Sequence, residues 1–211
     1  MLPYIIQLIF TVPILIISLS LHELSHGLAS YLMGDKTAKF NGRLSLNPLR
    51  HIDWFGFLML IVAGIGWAKP VPVNMFRFKD PKKGMAITAL AGPLMNILLV
   101  FVSLLLYALA IIYGWNEYLI MFFSLSAQYN AVLAMFNMLP IPPLDGSKVL
   151  FAFLPEKYYF KLMAYEQYGM ILILILSFTN MTSKIISTGV YNLMENLLRL
   201  VVKLLTALGV A

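Results

Sequence analysis

Residues 15 to 33 read Leu15-Ile-Ile-Ser-Leu-Ser-Leu-His22-Glu-Leu-Ser-His26-Gly-Leu-Ala-Ser-Tyr-Leu-Met33, inside an apolar run that extends back to Leu2. Such a run is long enough for a membrane-spanning helix, which needs about 20 apolar residues. Ionisable side chains at that depth cost about 2.5 to 3.5 kcal/mol each for the charged types, so two imidazoles and a carboxylate there require a function. His22 and His26 stand four apart, one helical turn, and both rings leave the same face. A single metal ion can bind both. Glu23 lies one residue round the helix, beside that metal without ligating it, where a carboxylate can take the proton of a metal-activated water. Ser18, His22, His26 and Ala29 share the stripe, which therefore faces protein and not lipid.

Composition supports the membrane reading. Of 211 residues 61% are hydrophobic and 11% charged, with mean hydropathy +0.85, against about 25% charged in an ordinary soluble domain. The expectation is an all-α polytopic membrane protein, a bundle of about four to six spanning helices with a small membrane-associated β-hairpin and re-entrant region. One membrane-embedded domain, residues 1–211, is expected. Its parts are a histidine-bearing helix (1–34), a hairpin and re-entrant region (35–83), a helix (84–114), a helix with an aspartate segment (117–146) and C-terminal helices (147–211). The chain contains no cysteine, which excludes disulfides, thiolate metal sites and a cysteine nucleophile. The N-terminus shows neither a basic stretch nor a small-residue cleavage site, so the first run is expected to be retained.

Outward from the first helix the character changes. Residues 34–83 hold nine Lys and Arg. Asn41-Gly42 within 39–46 signals a β-hairpin. The apolar run from Trp54 to Trp67 is about 21 Å long as a helix, too short for a bilayer core of about 30 Å, and reads as re-entrant. Lys69, Pro70, Val71, Pro72, Val73 and Asn74 must be extended, because each proline disfavours helix at the residue before it. Extended backbone at this depth lines a cavity or presents a strand edge, so these six are the candidate substrate-binding residues, and with the stretch 39–46 they offer edges to which a further strand can be added.

Residues 84–114 form the next span, with Thr88, Gly92, Asn96 and Ser103 on one small or polar stripe suited to close helix packing. Asn130 and Asn137 share a face of the following span. It ends in Asn137-Met-Leu-Pro-Ile-Pro-Pro-Leu-Asp145-Gly146, where three prolines fix an extended segment. Asp145 on that segment has two readings. It caps a helix over Ser147 to Phe153, or it supplies the third ligand that a catalytic zinc requires beside an open position. A fourth crossing is expected within Leu162 to Phe178. Glu195, Arg199 and Lys203 form a charged stripe on a tail helix that spans or lies in the interface.

Lys and Arg concentrate in 34–83 and 140–165 and are absent from the turn near 115. The +6 charge thus follows the positive-inside pattern rather than a nucleic-acid footprint. It places both basic segments in the cytoplasm and the N-terminus outside. The C-terminal end of the first helix and the segment bearing Asp145 then lie on the same side, where His22, His26 and Asp145 can meet.

The residues as a set resemble the site-2 proteases, the zinc intramembrane metalloproteases of peptidase family M50. The resemblance rests on His22-Glu-Leu-Ser-His26, Asn47-Pro-Leu-Arg-His51, Gly66-Trp-Ala-Lys-Pro-Val-Pro-Val-Asn74, Ala91-Gly-Pro-Leu-Met-Asn96 and the segment from Asn137 to Gly146. It implies that His22, His26 and Asp145 bind one Zn2+ per chain and that Glu23 is the general base. It also implies that Asn137 and His51 help stabilise the oxyanion, and it adds Asn96 as a further site candidate. The implied reaction is cleavage of the membrane-spanning segment of a protein substrate in the lipid bilayer of a prokaryotic cell, by a compact form without a PDZ domain. A metal-ion transporter or a catalytically inactive scaffold is the alternative. A transporter would keep working without Glu23, and a scaffold would have lost a ligand or the base, whereas all four residues are present.

Overall fold

The computed structural model describes residues 4–63, 66–164, 166–179 and 183–210. Three of its helices are long and apolar enough to cross a membrane: α1 (Tyr4–Leu32), α4 (Pro81–Ile112) and α5 (Glu117–Asn137). Between α1 and α4 lie the one-turn α2 (Thr37–Phe40) and the short α3 (Trp54–Ala63); α6 (Asp145–Phe151), α7 (Glu156–Ala164), α8 (Glu166–Thr179) and α9 (Ser183–Ala207) follow α5. The architecture is all-α, and among the described residues there is no strand.

Local chemistry sets the long helices. Asp80 accepts from Lys83 N at the start of α4, with Pro81 in the first turn, and Asn116 accepts from Tyr118 N at the start of α5. These side chains satisfy helix-end donors that have no partner within the helix. α4 is the centre of the bundle and packs on α1, α5, α6 and α9. Ala127, Ala131 and Ala134 of α5 are fully buried, and such small side chains let two apolar helices approach closely. Val100 and Leu104 of α4 meet Ala127 and Ala131 of α5 and Val201 and Leu205 of α9 in one core cluster. Large apolar side chains point outward from the same helices, among them Ile17, Leu28, Leu94 and Leu98. In water that would be a defect; facing lipid tails it costs nothing.

The hairpin expected at 39–46 is not formed. Thr37–Phe40 is helical, and Asn41-Gly42 ends it: Gly42 adopts a positive φ of 65°, while Gly42 N donates to Lys39 O and Arg43 N to Ala38 O. That is a Schellman stop, which needs the same left-handed glycine as a hairpin turn. The buried Ala38 packs on α1 and selects the helical alternative. The re-entrant reading of 54–67 meets a helix of ten residues, α3, with residues 64–65 outside the description. The expected count of four to six spans stands against three helices that meet length and composition among the described residues. The fourth crossing expected at 162–178 falls on residues of α7 and α8, with Tyr165 outside the described residues.

Candidate active site

His22 and His26 sit on the buried face of α1, 5% and 9% exposed, as their spacing requires. Their Nε2 atoms are 3.0 Å apart, and each lies 3.2 Å from Asp145 Oδ2. Among the described residues this is the one group of His and acidic side chains that converges so closely. Ligand atoms around a tetrahedral zinc are separated by about 3.3 to 3.6 Å, given bond lengths near 2.0–2.2 Å. The three donors stand near that spacing, and two imidazoles with a carboxylate are a donor set that zinc accepts.

The outer faces of the rings explain their orientation. His26 Nδ1 donates to Thr88 O on α4 at 2.7 Å, and His22 Nδ1 meets Asn96 Oδ1 at 2.5 Å. Both rings therefore turn Nε2 toward Asp145, the arrangement in which outer hydrogen bonds fix a ligating imidazole. Gly92, one turn from each of Thr88 and Asn96, lies directly beneath the rings. A Cβ there would stand 2.5 Å from His26 Cε1 and 2.6 Å from His22 Cε1. The stripe Thr88, Gly92, Asn96 is thus the floor of the site, all of it buried.

Asp145 is the first residue of α6, and no side chain caps that helix. The capping alternative fails, because its carboxylate turns to the imidazoles instead. Burial pushes that carboxyl up, but His26 and His22 facing it outweigh burial and hold it below the ordinary carboxylate range. The segment from Met138 folds back tightly enough that any side chain at Gly146 would strike the Met138 carbonyl. Ser147 Oγ closes the turn on Leu144 O at 2.7 Å.

A cavity of about 340 Å³ opens beside these donors and is lined by Glu23, Asn137, Pro70, Val71, Val73 and Lys148 as well as the three. Glu23 Oε2 accepts from Val71 N at 2.9 Å, which joins the carboxylate to the extended segment. That segment is suspended at several points. Arg43 donates to Lys69 O and Pro70 O, Lys69 N donates to His51 O, and Asn74 N donates to Asp35 Oδ2 at 2.7 Å. Gly27, next to His26, leaves room for Val71 and Leu44 against α1. Across the cavity Lys148 of α6 pairs with Glu166 of α8 at 3.3 Å.

Most of the sequence-predicted site residues therefore come together: His22, His26 and Asp145 at the donor cluster, Glu23 and Asn137 in the cavity wall, Asn96 behind His22. From 69–74, Pro70, Val71 and Val73 line the cavity, while Lys69 and Asn74 anchor its flanks. His51 is not brought there. It is 1% exposed, is not among the cavity-lining residues, and donates from Nε2 to Ser45 O at 2.7 Å. Its fixed place is under the 45–51 loop, whose backbone it ties to Lys69. Sequence reasoning passed over Gly92 and the Thr88 carbonyl as site-forming groups, although the spacing of four from Thr88 to Gly92 and from Gly92 to Asn96 repeats that of the two histidines on the facing helix.

The family model "Peptidase family M50" matches residues 111–178. The chain is 41% identical over 178 residues to the protein named "Putative zinc metalloprotease YwhC" of Bacillus subtilis, covering 82% of this chain and 81% of that one. Two proteins given the same descriptive name are also similar. MJ0611 of Methanocaldococcus jannaschii is 38% identical over 45% of this chain and 48% of its own. Rip2 of Mycolicibacterium smegmatis is 30% identical over 78% of this chain and 64% of its own. No solved structure matches the chain.

Proposed function

The chain belongs to peptidase family M50, and from that premise we propose that this metalloprotease is an intramembrane endopeptidase using one zinc ion held by His22, His26 and Asp145. The observation that carries the reading is the convergence of these three donors at 3.0 to 3.2 Å beside a cavity that Glu23 lines. Zinc, when bound, supplies a Lewis acid that polarises a peptide carbonyl and acidifies water. Glu23 then takes the proton of the attacking water and delivers it to the leaving amine, as a general base turned acid. The Val71 N–H on Oε2 leaves Oε1 for that exchange. Asn137 lines the cavity with one amide hydrogen spent on Leu133 O at 2.9 Å, and its second is available to a developing oxyanion. His51 is assigned to the 45–51 loop rather than to the reaction, since it stands outside the cavity wall with Nε2 donating to Ser45 O.

The substrate is the spanning segment of a membrane protein, unwound before attack because helical carbonyls are already hydrogen-bonded. Residues 69–74 receive it as an added strand. Val73, between the anchors at Val71 and Asn74, spends its N–H and C=O on none of the described residues, which leaves an edge for pairing. The basic segments at 34–83 and 140–165 face the cytoplasm of a prokaryotic cell, and the active site lies nearer that side. The whole chain acts as one membrane-embedded domain.

Glu23→Gln tests the mechanism. In detergent or liposomes with a single-span test substrate, the variant is expected to retain zinc by metal analysis and to lose cleavage by about 10²- to 10⁴-fold, the usual contribution of a general base. Full activity in that variant would remove Glu23 from the mechanism, and metal translocation surviving its loss would favour a transporter.

A further inference from the structure

The zinc site just proposed requires each imidazole to offer Nε2 as a lone pair, hence to carry its proton on Nδ1. For His26 the partner decides this directly, because Thr88 O is a backbone carbonyl and can only accept. For His22 it does not. The partner is the Asn96 side chain, and an amide turned over would present NH2 to Nδ1, making Nδ1 the acceptor and leaving the proton on Nε2.

The direction is set two residues further away. Asn130 Nδ2 on α5 lies 2.9 Å from Ser126 O, a backbone carbonyl, so the Asn130 amide nitrogen must point there. Asn130 Oδ1 is consequently the atom that faces Asn96, at 2.9 Å from Asn96 Nδ2, and it can only accept. Asn96 Oδ1 is then left toward His22 Nδ1, and a proton on that nitrogen is required. One backbone carbonyl on α5 thereby dictates the polarity of two amides and the tautomer of a ring on α1. We infer that Asn130 is a positioning residue for the metal site, fixing the tautomer and orientation of His22 through Asn96; this rests on the zinc reading above.

The setting makes the relay effective. Asn96 is 0% and Asn130 1% exposed, both on helices long and apolar enough to cross a membrane, so bulk solvent does not reach the pair to replace a missing partner. Buried amides in such a chain take the one arrangement that satisfies all their groups. Among the described residues, Asn130 Oδ1 is the acceptor that Asn96 Nδ2 meets, and it is this contact that distinguishes the two amide orientations. The ordinary alternative is that the pair only holds α4 against α5, as buried amides do between membrane helices.

A cycle of zinc affinities separates the two. Purified full-length wild type, Asn96→Ala, Asn130→Ala and the double variant are titrated with Zn2+ against a chelator, with thermal midpoints recorded alongside. Asn130→Ala is expected to weaken zinc binding by about 10- to 100-fold, the usual effect of losing a ligand's supporting partner. In the Asn96→Ala background it is expected to add no further loss, because its route to His22 is already cut. A lowered midpoint with unchanged zinc affinity, or losses that multiply in the double variant, would overturn the inference in favour of simple packing. Should Asn130→Ala not fold, the zinc-loaded wild type is decisive through its ring nitrogen resonances. A proton on His22 Nδ1 is expected, and zinc on Nδ1 with the proton on Nε2 would overturn the proposal. A wild type that binds no zinc would instead defeat the zinc reading itself.

Discussion

At the scale of single residues, the site depends on one side chain that is absent. Gly92 lies under both imidazoles, and a methyl group there would stand 2.5 Å from His26 Nε2. No rotamer change relieves this, because the rings are held from behind by Thr88 O and Asn96. Gly92→Ala is therefore expected to displace the ligands, lower zinc content and cut cleavage by about 10²-fold, the scale on which a misplacement of about 1 Å acts. Zinc analysis and the cleavage assay together check it; wild-type values for both would show that the rings have room to move. Glycine in an apolar helix reads in the sequence as ordinary close packing, and the contact that gives this one its importance crosses from α4 to α1.

At the scale of elements, the segment 69–74 has no partner strand among the described residues and is held largely by side chains. Asp35, fully buried just past α1, binds Thr37 N, Thr37 Oγ1 and Asn74 N and faces Arg77 Nη1 at 3.9 Å. Burial pushes its carboxyl up, but the bonds from Asn74 and Thr37 and the charge of Arg77 bring it below its ordinary 3.8. A depressed folded value means that the stabilisation is complete above the ordinary value and is lost as pH falls through the folded one. Asp35→Asn is expected to cost about 1 to 3 kcal/mol at neutral pH, the range for a buried hydrogen-bond network left short of a partner. The gap between variant and wild type should close as pH drops below about 4. Unfolding in detergent followed across that range checks the sign, and a gap that widens in acid would contradict the assignment. Such anchors are not visible from local sequence. The prolines announced an extended segment, but Asp35 and Arg43 lie 39 and 26 or more residues from the groups they hold.

At the scale of the whole molecule, the orientation proposed from the charge distribution can be tested by labelling, because the chain contains no cysteine. Single cysteines placed at Lys79 and at Asn116, on opposite ends of α4, should label from opposite sides in sealed vesicles, with Lys79 on the cytoplasmic side. Labelling of both from one side would overturn the topology, and with it the placement of the active site.

What the sequence determined by itself was local or periodic. Residues four apart on a helix share a face whatever surrounds them, so His22 and His26 were legible as a pair, and a run of prolines excludes helix in any context. Hydropathy likewise identified the long spans, since a bilayer selects on length and polarity alone. Tertiary structure decided the rest. Whether Asn41-Gly42 closed a hairpin or a helix depended on where Ala38 could be buried. Whether Asp145 capped a helix or faced the imidazoles depended on how the chain folded back past Met138. Whether His51 reached the cavity, and which way two buried amides point, depended on partners on other helices. These are choices between arrangements that cost the local backbone about the same, and only packing against distant parts of the chain separates them.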